Sequence, residues 1–295
     1  MSWITLSLIA LALWAIVNIL DKYVIDHELK DPIFVTAIFC LTASILLIGS
    51  ALLLGLKEAS FFVIGLAIAS GLLYSGAIYL YYHIMRGEEV SRLVPLISIE
   101  PIFIALGAFL FFGEQLGWQH YLGILLVVLG AILISREGAS SLREKLRLGR
   151  LHWLALLMVL FFSAKNLLVK YLFQGNDFWS IMFWFGVGGL ILPILFFAFH
   201  RPRLKGKFKR GIEHLIVSAI FSSLALIFFS QALKIGSVSL VIALVATKPM
   251  LVFLCATLFS FVCPKIIFEK HSVKILLIKI SATVLIVIGG ILVIV

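Results

Sequence analysis

The chain has 295 residues, of which 63% are hydrophobic and 13% charged, and its formal net charge is +10 at pH 7. A mean hydropathy of +1.19 excludes a soluble fold of this length, which could not cover so much apolar surface. The positive charge does not indicate nucleic-acid binding, because the Lys and Arg residues lie in short loops between apolar runs and not on one soluble face.

Ten apolar stretches follow one another along the chain, most of them long enough to cross a bilayer. The first has no Lys or Arg before Lys22 and no small-residue cleavage site, so we expect a retained helix and not a signal peptide. No connection is long enough for a separate soluble domain, and the sequence predicts an all-α membrane protein. The ten predicted transmembrane helices lie near 2–24, 32–55, 61–84, 93–113, 121–135, 151–173, 178–199, 215–233, 239–262 and 275–295.

Basic residues are distributed unevenly over the connections between these helices. The odd-numbered loops carry 17 of the 24 Lys and Arg residues, while the even-numbered loops carry only Lys57 and Lys234. The richest loops are 136–150 and 200–214. Because cationic loops stay in the cytoplasm, we expect the odd-numbered loops inside and both termini outside. The expected location is the plasma membrane, of the bacterial inner-membrane type.

The two halves of the chain match at a constant offset of 148 residues. WAIVNILDKY (14–23) lies over FFSAKNLLVKY (161–171), where Asn, Leu, Lys and Tyr coincide. VSRLVPLISIEPIFIALGAFLF (90–111) lies over VSLVIALVATKPMLVFLCATLF (238–259), where eight of twenty-two positions coincide. A single offset across two separated segments indicates an internal repeat.

The repeat predicts how the chain is organised. We expect a first five-helix unit at 1–135, a basic connecting loop at 136–150 and a second five-helix unit at 151–295. Five spans per unit is an odd number, so the two units enter the membrane in opposite directions. Many secondary transporters are built as inverted repeats of this kind.

Three pieces of the sequence carry a resemblance to a known family. They are YYHIMRGEEVSRLVPLISIEPIFIALGAFLFFGE (81–114), FFSQALKIGSVSLVIALVATKPM (228–250) and Trp14 followed by Asn18. Together with ten spans they resemble the drug/metabolite transporter superfamily and, within it, the EamA-like transporter family. The resemblance covers nearly the whole chain. It implies a ten-helix basket that moves small metabolites, amino acids, drugs or nucleotide-linked solutes by alternating access, with a cavity lined by helices 1, 3, 4, 6, 8 and 9.

The chain departs from the family pattern at three points. The second unit lacks the Gly-Glu that closes helix 4 at Gly113-Glu114, and has Phe261-Val262 there. The Glu-Pro of helix 4 becomes Lys-Pro in helix 9. Family members more often place both termini in the cytoplasm, whereas the charge distribution here favours the opposite orientation.

Charged residues inside the apolar spans are the first site candidates, because a charge at bilayer depth needs a partner or a water-filled cavity. Lys165 lies near mid-membrane, where it either lines a cavity or forms a structural ion pair. Lys22 and Lys170 lie near the ends of their spans, where long side chains reach the interface. Asn18 and Asn166 lie one turn inward from them on the same helical faces. The two Asn-Lys pairs would form symmetric gates or vestibules.

Glu100 and Lys248 occupy equivalent positions of the two units, each directly before a proline. Pro101 and Pro249 should kink helices 4 and 9, because proline removes an amide donor and clashes with the preceding turn. Opposite charges at related positions suggest an ion pair with a substrate or coupling role, or a static bridge. If Lys165 also faces the cavity, the excess charge is positive and favours an anionic or zwitterionic substrate.

Helices 1, 3 and 8 supply further candidates for the cavity wall. They are Trp14, Tyr74, Ser75 and Gln231, all within apolar spans. An interfacial aromatic belt is the simpler interpretation of the residues at the end of helix 3. Solvated surface is expected for His27, His120, His152, His200 and His214.

The sequence predicts a secondary transporter, of the exporter type, for small polar or amphipathic metabolites. The alternatives are a lipid-handling flippase of the same fold and, with less support, an intramembrane enzyme, for which no catalytic constellation is visible. No cofactor or metal site is predicted, since Cys40, Cys255 and Cys263 lack ligand spacing. Protons are the candidate coupling ion, through Glu100. The oligomeric state is left open.

Overall fold

The structure, a computed structural model, describes residues 1–86, 99–134, 142–200, 208–248, 250–251 and 273–295. Within these ranges the elements are ten α-helices, with no β-strand. They are α1 (Trp3–His27), α2 (Pro32–Leu54), α3 (Phe61–Met85), α4 (Glu100–Phe112), α5 (Trp118–Ile134), α6 (Leu142–Phe173), α7 (Phe178–Phe199), α8 (Phe208–Ile235), α9 (Val238–Val245) and α10 (Val273–Ile294).

Short polar residues determine where several of these apolar helices begin. Asp31 accepts a hydrogen bond of 3.1 Å from the amide of Ile33, and Pro32 occupies the first turn, where its missing N–H is not needed. The same N-cap role is filled by Ser2, Ser60, Asp177 and Ser237. In apolar surroundings these caps satisfy the free amides of the first turn.

The helices have the composition of membrane spans. Six contain a stretch long and apolar enough to cross a bilayer, namely α1, α2, α3, Trp153–Phe173 of α6, α7 and α8. Shorter apolar helices occur in α4, α5 and α10. Large apolar side chains face outward, such as Phe61 (94% exposed) and Phe199 (85%). Lipid is the solvent that tolerates this surface, and the chain is a multi-pass membrane protein.

The helices follow the predicted spans closely, and two differences stand out. α6 begins at Leu142 and α8 at Phe208, both inside the basic stretches predicted as loops (136–150 and 200–214). These stretches are rich in Leu, Lys, Arg and Glu, which favour helix although they end a hydropathy window. The predicted spans therefore cover the membrane-crossing part of α6 and α8 and are shorter than the helices themselves.

Spans 4 and 9 are described only in part. α4 begins at Glu100, so Pro101 lies in its first turn and not at a bend inside it. α9 ends at Val245, and a turn follows before Lys248. Both helices therefore have a boundary beside the predicted proline kink. Pro249, Cys255, Cys263, Phe261 and Val262 lie outside the described residues.

Several pairs of helices pack against each other. α1 lies along α8, and α3 lies along α6. α2 packs on α7, α5 on α10, and α4 on α9. The main buried core joins α1, α2, α3, α4, α6, α7, α8 and the start of α9, and a smaller one joins α5, α9 and α10. Polar side chains buried in the main core are therefore enclosed by several helices.

α3 and α7 approach each other backbone to backbone. A Cβ atom on Gly71 would collide with the carbonyl oxygen of Phe185, and one on Gly188 with the carbonyl oxygen of Ile68. Only glycine allows two helices so close. This glycine contact joins an early helix of the chain to a late one.

Glu114 ties the end of α4 to the beginning of α9. Gly113 ends α4 in the left-handed conformation, with φ of +64°, which turns the chain so that Glu114 reaches α9. The carboxylate accepts hydrogen bonds from the amide of Val238 (2.9 Å) and from the hydroxyls of Ser237 (2.9 Å) and Ser239 (2.8 Å). A carboxylate at a helix N-terminus also interacts favourably with the helix dipole.

Candidate functional site

A buried asparagine holds the glutamate at the start of α4. Asn166, on α6, is 3% exposed, and its Nδ2 donates a hydrogen bond of 2.8 Å to Oε1 of Glu100. The Oδ1 atom of Asn166 is buried and has no hydrogen-bond partner within the described ranges. Two residues from separate predicted units are thus hydrogen-bonded, and the Oδ1 atom of Asn166 can accept a further hydrogen bond.

Lys165 lies beside this pair in an aromatic enclosure. It is 4% exposed, and its Nζ lies 5.2 Å from the ring centroid of Phe229 and 5.7 Å from that of Tyr74. Both contacts fall within the range of cation–π attraction. Lys165 also interacts electrostatically with Glu100. The ammonium group is therefore turned into the bundle and not toward lipid.

Lys248 follows the turn after α9. It is partly accessible, and it interacts electrostatically with both Glu100 and Asp21. The predicted ion pair of Glu100 and Lys248 stays a prediction. The two electrostatic partners of Lys248 lie on α4 and α1.

Asp21 is a buried charge that the sequence reasoning missed. It is 2% exposed, and Oδ1 accepts a hydrogen bond of 2.6 Å from Oγ of Ser218 on α8. Its neighbour Lys22 was predicted as a site residue instead. The available signal was spacing, since Trp14, Asp21 and Glu28 recur every seven residues and so share one face of α1.

Trp14 and Asn18 lie on the interior side of α1. Nε1 of Trp14 donates a hydrogen bond of 3.4 Å to Oγ of Ser222, and the Trp14 and Phe229 ring centroids are 5.1 Å apart. Asn18 accepts a hydrogen bond of 3.2 Å from the Tyr81 hydroxyl. Tyr81 therefore contacts α1, although an interfacial belt was expected for this end of α3.

The remaining candidates from the sequence lie apart from these groups. Lys22 pairs with Asp26 at 3.0 Å on the helix surface. Lys170 donates hydrogen bonds to the carbonyl oxygens of Leu233 (2.8 Å) and Gly236 (2.6 Å) at the end of α8.

Two polar residues of α3 and α8 complete the set. Ser75 is fully buried, and its hydroxyl donates a hydrogen bond of 3.0 Å to the carbonyl oxygen of Leu72 one turn earlier. Gln231 is half-buried on α8. Among the described residues, neither side chain forms a hydrogen bond with Glu100.

Two histidines expected at the solvated surface are paired with carboxylates. His200 Nε2 lies 2.6 Å from Oδ2 of Asp31, and His214 Nδ1 lies 2.8 Å from Oε2 of Glu28. Both pairs join the connection between α1 and α2 to a later helix. His200 and His214 stay partly exposed, as expected, and each also pairs with an acidic residue distant in sequence.

The interior charges alternate in sign. Each of Asp21, Lys248, Glu100 and Lys165 interacts electrostatically with the next, so the series contains two ammonium groups and two carboxylates. We call these four residues the charge string. Within the described ranges no group of three His, Cys, Asp or Glu residues is arranged to hold a metal ion. The arrangement can bind charges of both signs.

Comparison with known proteins agrees with the transporter architecture. The model of the EamA-like transporter family matches residues 1–136. An uncharacterized transporter of Methanothermobacter thermautotrophicus is 33% identical over 106 residues, covering 34% of this chain and 29% of the relative. A probable 4-amino-4-deoxy-L-arabinose-phosphoundecaprenol flippase subunit ArnE of Aeromonas salmonicida is 28% identical over 67 residues, covering 23% of this chain and 59% of the relative.

The fold extends beyond these local matches. A solved crystal structure superposes with a TM-score of 0.76 at 18% identity and covers 98% of this chain and 95% of its own. The match to the curated relatives spans less than two thirds of their lengths.

An all-helical bundle with apolar spans and interior charges defines a multi-pass membrane protein. The match of the EamA-like transporter family model to residues 1–136 confirms, over that part of the chain, the resemblance predicted from the sequence.

Proposed function

We propose that this protein is a secondary transporter that exports small polar or amphipathic metabolites by alternating access. The observation that carries the proposal is the charge string, in which Asp21, Lys248, Glu100 and Lys165 face one another among α1, α4, α6 and α9. Charges in membrane spans are expensive, and a route for a polar solute is the usual reason for them. Glu100 and Lys248 remain partly accessible although they lie between helices.

The charge string favours a zwitterionic substrate. The prediction from the sequence included two positive charges, Lys165 and Lys248, and one negative charge, Glu100, which leaves a positive excess. Asp21 balances this excess, so the preference moves from an anion to a molecule with one charge of each sign. Glu100 would hold the substrate's ammonium group, and Lys248 and Lys165 would hold its carboxylate.

An inverted repeat of ten spans is part of the proposal. It is supported by contacts that recur at the offset of 148 residues. Trp14 contacts Ser222 between α1 and α8, and the equivalent residues Phe162 and Tyr74 contact each other between α6 and α3, with ring centroids 6.5 Å apart. A site between such units opens to either side by related motions. The odd-numbered loops would face the cytoplasm of a bacterial-type plasma membrane.

Flux through proteoliposomes tests the function. The full-length chain is reconstituted, and the panel compares amino acids with their amides, which lack the carboxylate, and with N-acetyl derivatives, which lack the ammonium group. The zwitterions are expected to move at least about tenfold faster than either neutralised form. Lys248→Ala should abolish the difference, whereas Lys30→Ala, at an exposed position, should leave it unchanged. Equal flux for all three classes would contradict the assignment.

A flippase is the second candidate, because of the match to a probable flippase subunit. A flippase of this fold would open laterally to lipid and move a lipid-linked head group. Scrambling of fluorescent lipids in the same liposomes, without flux of soluble compounds, would favour it. An intramembrane enzyme is the weakest alternative, and covalent turnover of a panel compound would favour that class.

A further inference from the structure

A row of polar contacts runs along the interface between α1 and α8. Trp14 contacts Ser222, Asp21 contacts Ser218 at 2.6 Å, and Glu28 contacts His214 at 2.8 Å, as described above. The α1 residues recur every seven positions and the α8 residues every four, so both sets lie on one face of their helix. We call this row the α1/α8 ladder. It leads from the aromatic interior beside Lys165 to the end of the bundle at the α1–α2 connection.

One polar atom of the ladder lacks a partner. The Glu28 side chain is 1% exposed, and its Oε1 has no hydrogen-bond partner within the described ranges. The hydroxyl of Tyr82, fully buried on α3, interacts with Asp21. An unpaired buried carboxylate oxygen is costly, and a proton on Glu28 or a water molecule beside it would satisfy it. The ladder thus has a position for a proton where the packing is otherwise apolar.

The groups around Asp21 differ from those around a static ion pair. Ser218 donates a hydrogen bond to it from α8, and Tyr74, Tyr81 and Tyr82 interact with it electrostatically from α3. Lys248 is the only ammonium group among its described electrostatic neighbours, and it is shared with Glu100. When Lys248 moves toward Glu100, the Asp21 carboxylate is left without a counter-charge in an apolar interior. Protonation is then the least costly way to keep it buried.

We propose that Asp21 binds the proton that couples transport and that the α1/α8 ladder, through Glu28 and His214, connects Asp21 to the surface at the α1–α2 connection. The coupling step rests on the proposed transport function, whereas the proton site does not.

The proton balance is simple. A hydronium ion transfers its proton to the Asp21 carboxylate and leaves as water, which removes one negative charge from the charge string. Lys248 is then free to pair with Glu100 or with the substrate carboxylate. Release reverses the step and returns the proton to water through Glu28 and His214, which is partly exposed. Asp21 and Glu28 are seven residues apart, roughly 10 Å along the helix, so the route between the two carboxylates needs Ser218, His214 and bridging water molecules.

Infrared titration tests the proton site without any substrate. The full chain is placed in lipid nanodiscs, and the carbonyl band of protonated carboxylic acids is followed between about pH 5 and about pH 9. Wild type should show a titrating band that Asp21→Asn removes. Asp26→Asn is the matched control, because Asp26 lies on the same helix but on its exposed side, paired with Lys22. Ser218→Ala should keep the band and shift it to higher frequency, since the hydrogen bond to Asp21 is lost.

A pH jump tests the route. Glu28→Gln should leave the amplitude of the Asp21 band unchanged and slow its appearance by roughly tenfold or more. The matched control for this variant is Glu58→Gln, at an exposed position outside the ladder. Equal rates in both variants would overturn the route.

The outcomes separate the proton site from the proposed function. A band that persists in Asp21→Asn, or its absence from wild type over the whole range, would overturn the proton site. If Asp21→Asn does not fold, an unshifted band in Ser218→Ala would overturn it equally. Zwitterion flux driven by a pH gradient that survives in Asp21→Asn would overturn coupling at Asp21 while leaving transport intact. A titrating Asp21 band in a protein that moves no panel compound would support the proton site and contradict the transport proposal.

Discussion

Nδ2 of Asn166 lies 2.8 Å from Oε1 of Glu100, and this hydrogen bond joins the middle of α6 to the first turn of α4. Because Asn166 is 3% exposed, water does not replace the bond when it is lost. A hydrogen bond to a charged group is worth about 1.5–3 kcal/mol, more than one between neutral groups. The contact therefore fixes where the Glu100 carboxylate points inside the bundle.

The Asn166–Glu100 bond predicts strong coupling between the two residues. In a double-mutant cycle of Asn166→Ala and Glu100→Ala, we expect a coupling free energy of about 1.5–3 kcal/mol, because each single change removes one partner of a hydrogen bond to a charged group. Unfolding in mixed detergent micelles gives the free energy of unfolding of wild type, the two single variants and the double variant. Additive changes in the free energy of unfolding would show that the bond contributes little, and Glu58→Gln with Asn166→Ala serves as an additive control.

Lys248 is predicted to matter more for transport than for folding. Lys248→Ala should lower zwitterion flux by at least about tenfold while the yield of folded protein falls much less, because the side chain is partly accessible. The reversal Glu100→Lys with Lys248→Glu should restore folding and not selectivity. Native flux in the reversed protein would show that the two charges act only as a structural bridge.

Glu114 is predicted to stabilise the fold from outside the charge string. Glu114→Gln removes the charge that caps α9, and we expect the free energy of unfolding to fall by about 1–3 kcal/mol. Glu58→Gln is the control, because Glu58 lies exposed in the α2–α3 connection. Unfolding curves of both variants in the same detergent measure the difference in the free energy of unfolding, and equal stability would contradict the capping role.

The glycine contact between α3 and α7 gives a steric prediction. Gly71→Ala places a methyl group against the carbonyl oxygen of Phe185 and should destabilise the fold by about 1–3 kcal/mol, as overpacking does. Gly65→Ala, on the same helix, meets nothing within 4 Å and should be neutral or slightly stabilising. Similar melting temperatures for the two variants would mean that the helices separate at little cost.

The sequence was sufficient for the membrane class and for most helix positions. Apolar length is a strong signal, because every backbone group in lipid must be satisfied within the helix. The same signal failed at Leu142 and Phe208, where charge ends the apolar window but leucine, lysine and glutamate continue the helix. Helix propensity, and not hydropathy alone, indicates where such a helix begins.

The site was only partly predictable, because its polar residues are of two kinds. Lys165, Asn166 and Glu100 were identifiable as polar groups inside apolar runs, and they do lie together. Asp21 was missed because α1 is apolar on most of its surface, so no polar face indicates which of Asp21 and Lys22 turns inward. The seven-residue spacing of Trp14, Asp21 and Glu28 indicates that Asp21, and not the adjacent Lys22, lies on the inner face of α1.

Other polar candidates depend on backbone groups that no sequence pattern encodes. The Lys170 ammonium group binds carbonyl oxygens at the end of α8, and the Ser75 hydroxyl binds the carbonyl oxygen of its own previous turn. Both are polar residues in an apolar span, which is the pattern that identified Glu100. A substrate role for either residue stays a prediction.

Lys170 and Glu114 meet the same short turn from opposite directions. The lysine holds the last carbonyl oxygens of α8, and the glutamate holds the first amides of α9, so the turn between these helices is fastened from α6 and from α4 at once. Four helices are therefore joined at this end of the bundle. Under the proposed transport function, any motion that separates α8 from α9 here must first break the contacts of Lys170 or Glu114.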